Sequence, residues 1–176
     1  MDLPKFKYFL NPLFSKVYRK VTKQCCSCNK IVNYIYVGPT YYNDKVNNFD
    51  ECICPWCIYD GTAHINLNVS FVDKDAIGNY GEWSPVNTSI IEEISNKTPC
   101  FLGIQQEKWW THCNEGGQFL GTFSYFQMHD KFNEVELNQI MTNIKLLKDM
   151  KENDDLSFCI FKCVNCNKLG GYVDFF

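Results

Sequence analysis

The sequence predicts a mixed α+β domain in which two β-hairpins, each turned through a pair of cysteines, pack with a helical layer. Three observations lead to that class. C-x-x-C units stand at Cys25 and Cys28, at Cys54 and Cys57, and at Cys163 and Cys166. The first and third share one longer pattern, C-x-x-C-N-K-(I/L)-x-x-Y-(I/V), ending at Ile35 and Val173. Between them, Leu137, Ile140, Met141, Ile144 and Leu147, widened by Leu146, recur at helical spacing.

Taken in order, residues 1–24 carry Pro4 and Pro12 without clear periodicity. They read as an extended arm packed through Phe6, Tyr8, Phe9 and Phe14. After the first cysteine turn, residues 31–37 are β-branched and aromatic and read as a strand, ended by Gly38-Pro39. A polar loop over 43–48 leads to the second unit. Residues 65–71 alternate apolar with polar, the pattern of a half-buried strand. Residues 73–85 form a loop. Asn87 or Thr88 caps a short helix through Ile90, Ile91 and Ile94, stopped at Thr98-Pro99. A second helix is expected from Gly103 to Cys113, and the longest from Asn133 to Met150. Residues 152–155 make an acidic turn. Strands at 158–161 and 171–175 flank the third unit. The expected organisation is one domain, 1–176: an arm (1–24), a zinc-ribbon-like part (25–72), a helical part (86–150) and a C-terminal knuckle hairpin (156–176).

Composition narrows the function classes. A chain of 176 residues with fourteen Phe, ten Tyr and four Trp is long enough and apolar enough for a real core. The formal charge of −3 weighs against nucleic acid as a partner. Lys16, Arg19, Lys20 and Lys23 read as a solvated face. The first residues lack signal-peptide shape, and no stretch reaches the roughly 18 apolar residues of a membrane span. The expectation is a cytoplasmic protein away from membranes. There thiols stay reduced, so clustered cysteines point to metal or redox work before structural disulfides.

Two thiolates on one tight turn can grip one metal ion, and tetrahedral zinc wants four such ligands. Cys25, Cys28, Cys54 and Cys57 make one candidate site. The repeat selects Cys25 over Cys26 as the partner of Cys28, leaving Cys26 and Cys52 as spare thiols. Cys163 and Cys166 then need partners, and His112 with Cys113 are the best available. Ligation by adjacent residues requires non-helical backbone there, which Asn114-Glu115-Gly116-Gly117 permits. Otherwise His112 is simply a helix-terminal histidine, or only one of the two ligates. One or two structural zinc ions are expected, with iron also compatible with four thiolates. Cys100 and Cys159 read as small buried hydrophobes. Trp109 and Trp110 read as core, with one of them open to a pocket-lining role.

The rival chemistry is thiol-disulfide exchange at Cys54-Pro55-Trp56-Cys57, which resembles a glutaredoxin-like C-P-x-C loop. Asp50 and Glu51 ahead of it would raise a thiolate's pKa, and Gly61 ends any following helix early. A cysteine hydrolase is disfavoured, since nothing pairs a nucleophile with His64, His112 or His129.

Five stretches together resemble the CbrC family of small bacterial proteins. They are Leu3 to Tyr8, Tyr34 to Pro39, and Cys54 to Ile58 with Asp60, Gly61 and Ala63. Further on come Thr98-Pro99 with Gln105-Gln106, Trp109 to Cys113 and Phe119 to Gly121. The last is Phe161 to Cys166 with Tyr172 and Asp174. The family is named for a protein linked to colicin tolerance. The resemblance implies a non-enzymatic stress or toxin tolerance factor, or an immunity-like protein, acting on a protein partner that could be a toxin. It implies no catalytic residues.

Overall fold

The computed structural model describes residues 3–42, 45–47, 51–78, 80–81, 83–144 and 156–175. Its elements run β1 (Tyr18–Gln24), β2 (Ile31–Tyr36), β3 (Thr40–Tyr42), β4 (Lys45–Asn47), α1 (Pro55–Tyr59), α2 (Thr62–Leu67), a 3-10 turn (Lys74–Ala76), α3 (Thr88–Lys97), β5 (Thr111–His112), β6 (Glu115–Phe123), α4 (Tyr125–Lys131), α5 (Glu134–Ile144), β7 (Leu156–Cys163) and β8 (Leu169–Phe175). The protein is a mixed α+β domain. Hairpins β1–β2 and β3–β4 stand as separate two-stranded sheets, and β5-β6-β7-β8 form one antiparallel sheet.

Alternation along β7 divides the interior. Phe158 and Ile160 face one way, toward Met128, Phe132, Leu137 and Ile140 of the C-terminal helical region. Cys159, Phe161 and Cys163 face the other, into a larger core with Phe9, Phe101, Trp109, Trp110 and Phe119. Phe101 stacks on Phe119 with centroids 4.1 Å apart. The arm joins this core as an extra partial strand. Phe119 donates its N–H to Tyr8 O at 2.7 Å, and Leu10 donates to Phe119 O at 3.0 Å. Phe6, Tyr8 and Phe9 are buried as expected, but Phe14 is 86% exposed. It rides a tight turn in which Phe14 N–H returns to Asn11 O, so the chain points it outward.

Three expectations are corrected. Residues 65–71 are not a strand. Left-handed Gly61 and Asn68 (φ 82° and 53°) bracket the six-residue helix α2, whose Ile65 is 78% exposed. Alternation here reflects a short helix followed by the inward Val69 and Phe71. Nor do residues 103–113 form a helix. Trp109 bonds instead to Ala76 O, and Thr111 and His112 become strand β5. The part expected to be helical, 86–150, therefore contains half of the main sheet. The expected helices at 87–98 and from 133 are present as α3 and α5, with Asn87 Oδ1 accepting from Ile90 N–H. Leu146, Leu147 and the acidic stretch 152–155 lie outside the described residues, as does part of the 43–48 loop.

Candidate metal centres

The repeated motif folds the same way twice. At the first turn, Cys25 N–H donates to Lys30 O at 2.9 Å and Asn29 N–H to Cys25 O at 2.8 Å. At the third, Cys163 N–H donates to Lys168 O at 2.8 Å and Asn167 N–H to Cys163 O at 2.9 Å. Asn29 and Asn167 both take left-handed backbone, φ 59° and 62°. Asparagine tolerates that region better than most residues, which explains its place directly after each second cysteine. One unit caps hairpin β1–β2 and the other caps β7–β8.

Each turn meets a different partner. Cys54 precedes α1 with Pro55 at its first position, and Cys57 lies within the helix. The segment before α1 is tied to the first hairpin. Tyr36 N–H reaches Ile53 O at 2.8 Å, and Cys54 N–H reaches Cys25 Sγ at 3.3 Å. Asn66 of α2 donates to Ser27 O at 3.0 Å, holding the turn from the other side. Cys25 and Cys57 sulfurs lie 3.9 Å apart. Cys25, Cys54 and Cys57 are buried and Cys28 is half-buried. Crowding sets their acidities apart. The Cys54 thiol hydrogen-bonded to Cys25 holds Cys25 well below the usual thiol range, while Cys54 moves far up. Burial pushes Cys57 up to about 12.

At the second group, the pairing of His112 with Glu115 across β5–β6 leaves a two-residue loop, Cys113-Asn114, with both residues at φ 56°. Positive φ at both positions is the signature of a type I′ hairpin turn. That turn lets adjacent residues converge, so the expected helix-terminal histidine is replaced by one at a strand end. Gly116 and Gly117 serve a different purpose from the one expected. They leave room for packing: a Cβ on Gly117 would stand 2.7 Å from the Trp110 ring. Both tryptophans are buried, and Trp110 lies parallel to His112 with centroids 5.4 Å apart.

His112 Nδ1 is 3.1 Å from Cys113 Sγ and 3.4 Å from Cys166 Sγ, and those two sulfurs are 3.7 Å apart. Cys163 is buried behind them, while Cys113 and Cys166 are exposed. Burial and the Lys168 charge hold His112 below its ordinary pKa, favouring the neutral ring that metals require. The Lys168 backbone N–H lowers Cys166, and the hydrogen bond with Cys166 pushes Cys113 up to about 11. From the far side α5 anchors the start of β8. Asn143 donates to Leu169 O, and Gln139 accepts from Leu169 N–H.

In each group the four ligand atoms lie within 4.8 Å of one another, and each can hold a metal ion. All eight residues singled out from the sequence fall into these two groups. Sequence reasoning missed Trp110 and Lys168 as neighbours of the second group. It also left Cys26 and Cys52 unpaired, whereas the structure joins them as a disulfide. Lys168 is the lysine of the repeated motif and could have been flagged from it, whereas nothing in the motif pointed to Trp110 or to a bond between Cys26 and Cys52. Cys100 and Cys159 are fully buried. Glu51, expected to perturb the second unit, is engaged by the Arg19 guanidinium through two contacts. Arg19, Lys20 and Lys23 lie on the exposed length of β1.

A family model described as an uncharacterised protein family, UPF0167, matches residues 3–175. The chain belongs to the UPF0167 family. A UPF0167 protein of Mycobacterium bovis is 27% identical, over 98% of this chain and 94% of its own length. One from Mycobacterium tuberculosis matches to the same extent. A UPF0167 protein of Pseudomonas aeruginosa is 32% identical over 68% of this chain and 63% of its own. No solved structure matches this UPF0167 chain. Among the described residues no helix is long and apolar enough to cross a membrane.

Proposed function

We propose that the protein is a non-enzymatic zinc protein whose two ions lock two zinc-ribbon-like knuckle hairpins onto their partners. Cys25, Cys28, Cys54 and Cys57 would hold one ion, and His112, Cys113, Cys163 and Cys166 the other. The observation that carries this reading is the second use of one turn, completed each time to four soft or borderline ligands. Magnitudes agree. A tetrahedral Zn–S distance near 2.3 Å places sulfurs about 3.8 Å apart, and the sulfur pairs at the two groups stand at 3.9 and 3.7 Å. Closed four-ligand sites leave no open position for substrate, which is the mark of a structural role. Zinc is the better fit to the mixed Cys3His group, and a colourless protein would separate it from iron.

The test is elemental analysis of the purified chain beside thiol titration. About two zinc per chain, with seven thiols shielded until a chelator is added, is the expected result. A metal-free protein with freely reactive cysteines would sink the proposal. The thiol-disulfide alternative at Cys54 and Cys57 has less support. Both are buried, α1 spans only five residues, and the raised pKa of Cys57 is the reverse of an activated thiol.

The cellular role we propose is tolerance of a stress or toxin in the cytoplasm through a protein partner. It rests on the resemblance to the CbrC family together with bacterial relatives. Deleting the gene and challenging cells with colicins tests it. Reduced survival is expected, and unchanged survival across several colicins would count against it.

A further inference from the structure

Two cysteines outside both ligand groups meet beside the first one. Cys26 lies inside the first turn, and Cys52 lies two residues before Cys54. Their Cα atoms are 5.3 Å apart, inside the range a disulfide spans, and the sulfurs are bonded. Cys26 N–H also donates to Cys52 O at 2.8 Å, so the backbone aligns the pair independently of the sulfurs. Both side chains are half-buried, within reach of a small thiol or disulfide. The second group has no such neighbour: Cys100 and Cys159, the other cysteines outside the ligand groups, are fully buried.

The placement has a mechanical consequence. Cys26 belongs to the half of the first group that carries Cys25 and Cys28, and Cys52 to the half that carries Cys54 and Cys57. A bond between them closes a loop of 26 residues in sequence separation across the two halves. It keeps the ligand pairs together when an ion leaves, so the ion's departure no longer lets the halves drift apart.

We propose that Cys26 and Cys52 form a reversible redox site that sets how fast the first group releases its metal. This rests on the zinc reading of that group. The oxidant is a low-molecular-weight disulfide. One cysteine thiolate attacks it, forming a mixed disulfide and expelling one small thiolate. The second cysteine thiolate then attacks the mixed disulfide at the protein sulfur and expels the other. Two protein thiols become one disulfide, one small disulfide becomes two thiols, and the two cysteine protons end on those thiols. Excess small thiol runs the sequence backward. Oxidation therefore latches the first group, and reduction leaves its assembly to the metal alone.

The experiment uses the full-length zinc-loaded protein equilibrated in reduced or oxidised glutathione. Cysteine pairing is mapped by alkylation and peptide mass spectrometry, and zinc extraction by a chelator is timed. The expected result is a Cys26–Cys52 link in oxidised glutathione with both zinc ions retained. One zinc should then leave about tenfold or more slowly than in the reduced protein, with the other unchanged. The Cys26→Ser and Cys52→Ser variants should extract at the reduced rate in both buffers. The wild-type comparison stands even where a variant folds poorly. Failure of the link to form, its formation between other cysteines, or equal extraction rates would overturn the proposal. Zinc absent in both states would overturn the zinc reading and the coupling with it. The pairing map separates that failure from failure of the redox pair.

Discussion

The first ligand group sits in the main core, with Cys25, Cys54 and Cys57 buried, whereas in the second only Cys163 is buried and two sulfurs face solvent. Both use the same cysteine turn, so the difference comes from the partner. The first turn meets the start of a helix that packs inward, and the second meets a tight hairpin turn at the end of a sheet. What each group joins differs too. The β1–β2 hairpin pairs with no other strand among the described residues, so it joins the body through the core packing of Tyr18 and Tyr36 and through the first group. The second clamps two turns whose strands β6 and β7 already share a ladder from Gly117 to Phe123. One repeat thus supplies a fastening in one place and a reinforcement in the other.

Ligand removal tests this difference most directly. In the reduced protein, where no Cys26–Cys52 bond holds the halves, Cys57→Ser should lower the thermal midpoint by about 10 °C or more, since it empties a buried site and loosens the first hairpin. Cys166→Ser should cost only a few degrees, because the sheet persists. Equal losses on circular dichroism melts would mean that both sites carry the fold alike. Chelation should separate the groups next. Native mass spectrometry should show the ion of the exposed second group leaving at least about tenfold faster than that of the first, and alkylation should mark Cys113 and Cys166 before Cys54 and Cys57. The reverse order would show that exposure does not govern release.

Trp110→Leu sharpens the second group alone. It removes the ring stacked on His112 and should weaken zinc there about tenfold while the other site keeps its affinity. Loss at both sites would indicate general unfolding instead.

The smallest effect separates the metal groups from the body they share. Glu107 is buried, accepts from the Tyr41 hydroxyl at 3.1 Å, and has its other oxygen without a hydrogen-bond partner among the described residues; burial raises its pKa to about 8. The folded state therefore binds more protons than the unfolded chain between about pH 4.5 and 8. Its contribution is fully present below that window and is lost as pH rises through it. Metal loss in acid has the opposite sign, because the thiolate ligands must protonate. Melts of zinc-loaded protein from about pH 6 to 9 should show stability declining as pH rises, and Glu107→Gln should flatten that decline. An unchanged decline in the variant would place its origin elsewhere.

Legibility followed the range of the signal. The cysteine turns, the capped helix α3 and the apolar stripe of α5 are written in neighbouring residues and were readable. The 65–71 segment misled because an apolar-polar alternation also suits a six-residue helix followed by two inward side chains. The 103–113 segment misled because its bonds go to Ala76 and across to β6, and neither partner is visible locally. β6 itself went unread, since its glycines suit close packing against Trp110 and weaken the strand pattern.

The eight ligand candidates and the equivalence of the two turns are written along the chain, because C-x-x-C-N-K encodes a local hydrogen-bond pattern complete within a single turn of chain. Folding settles which distant pair completes each group, which group is buried, and that Cys26 meets Cys52. Those outcomes depend on contacts between segments tens of residues apart. Such contacts are selected by the packing of Trp110, Phe161 and the two hairpins as wholes, and no spacing along the chain records them.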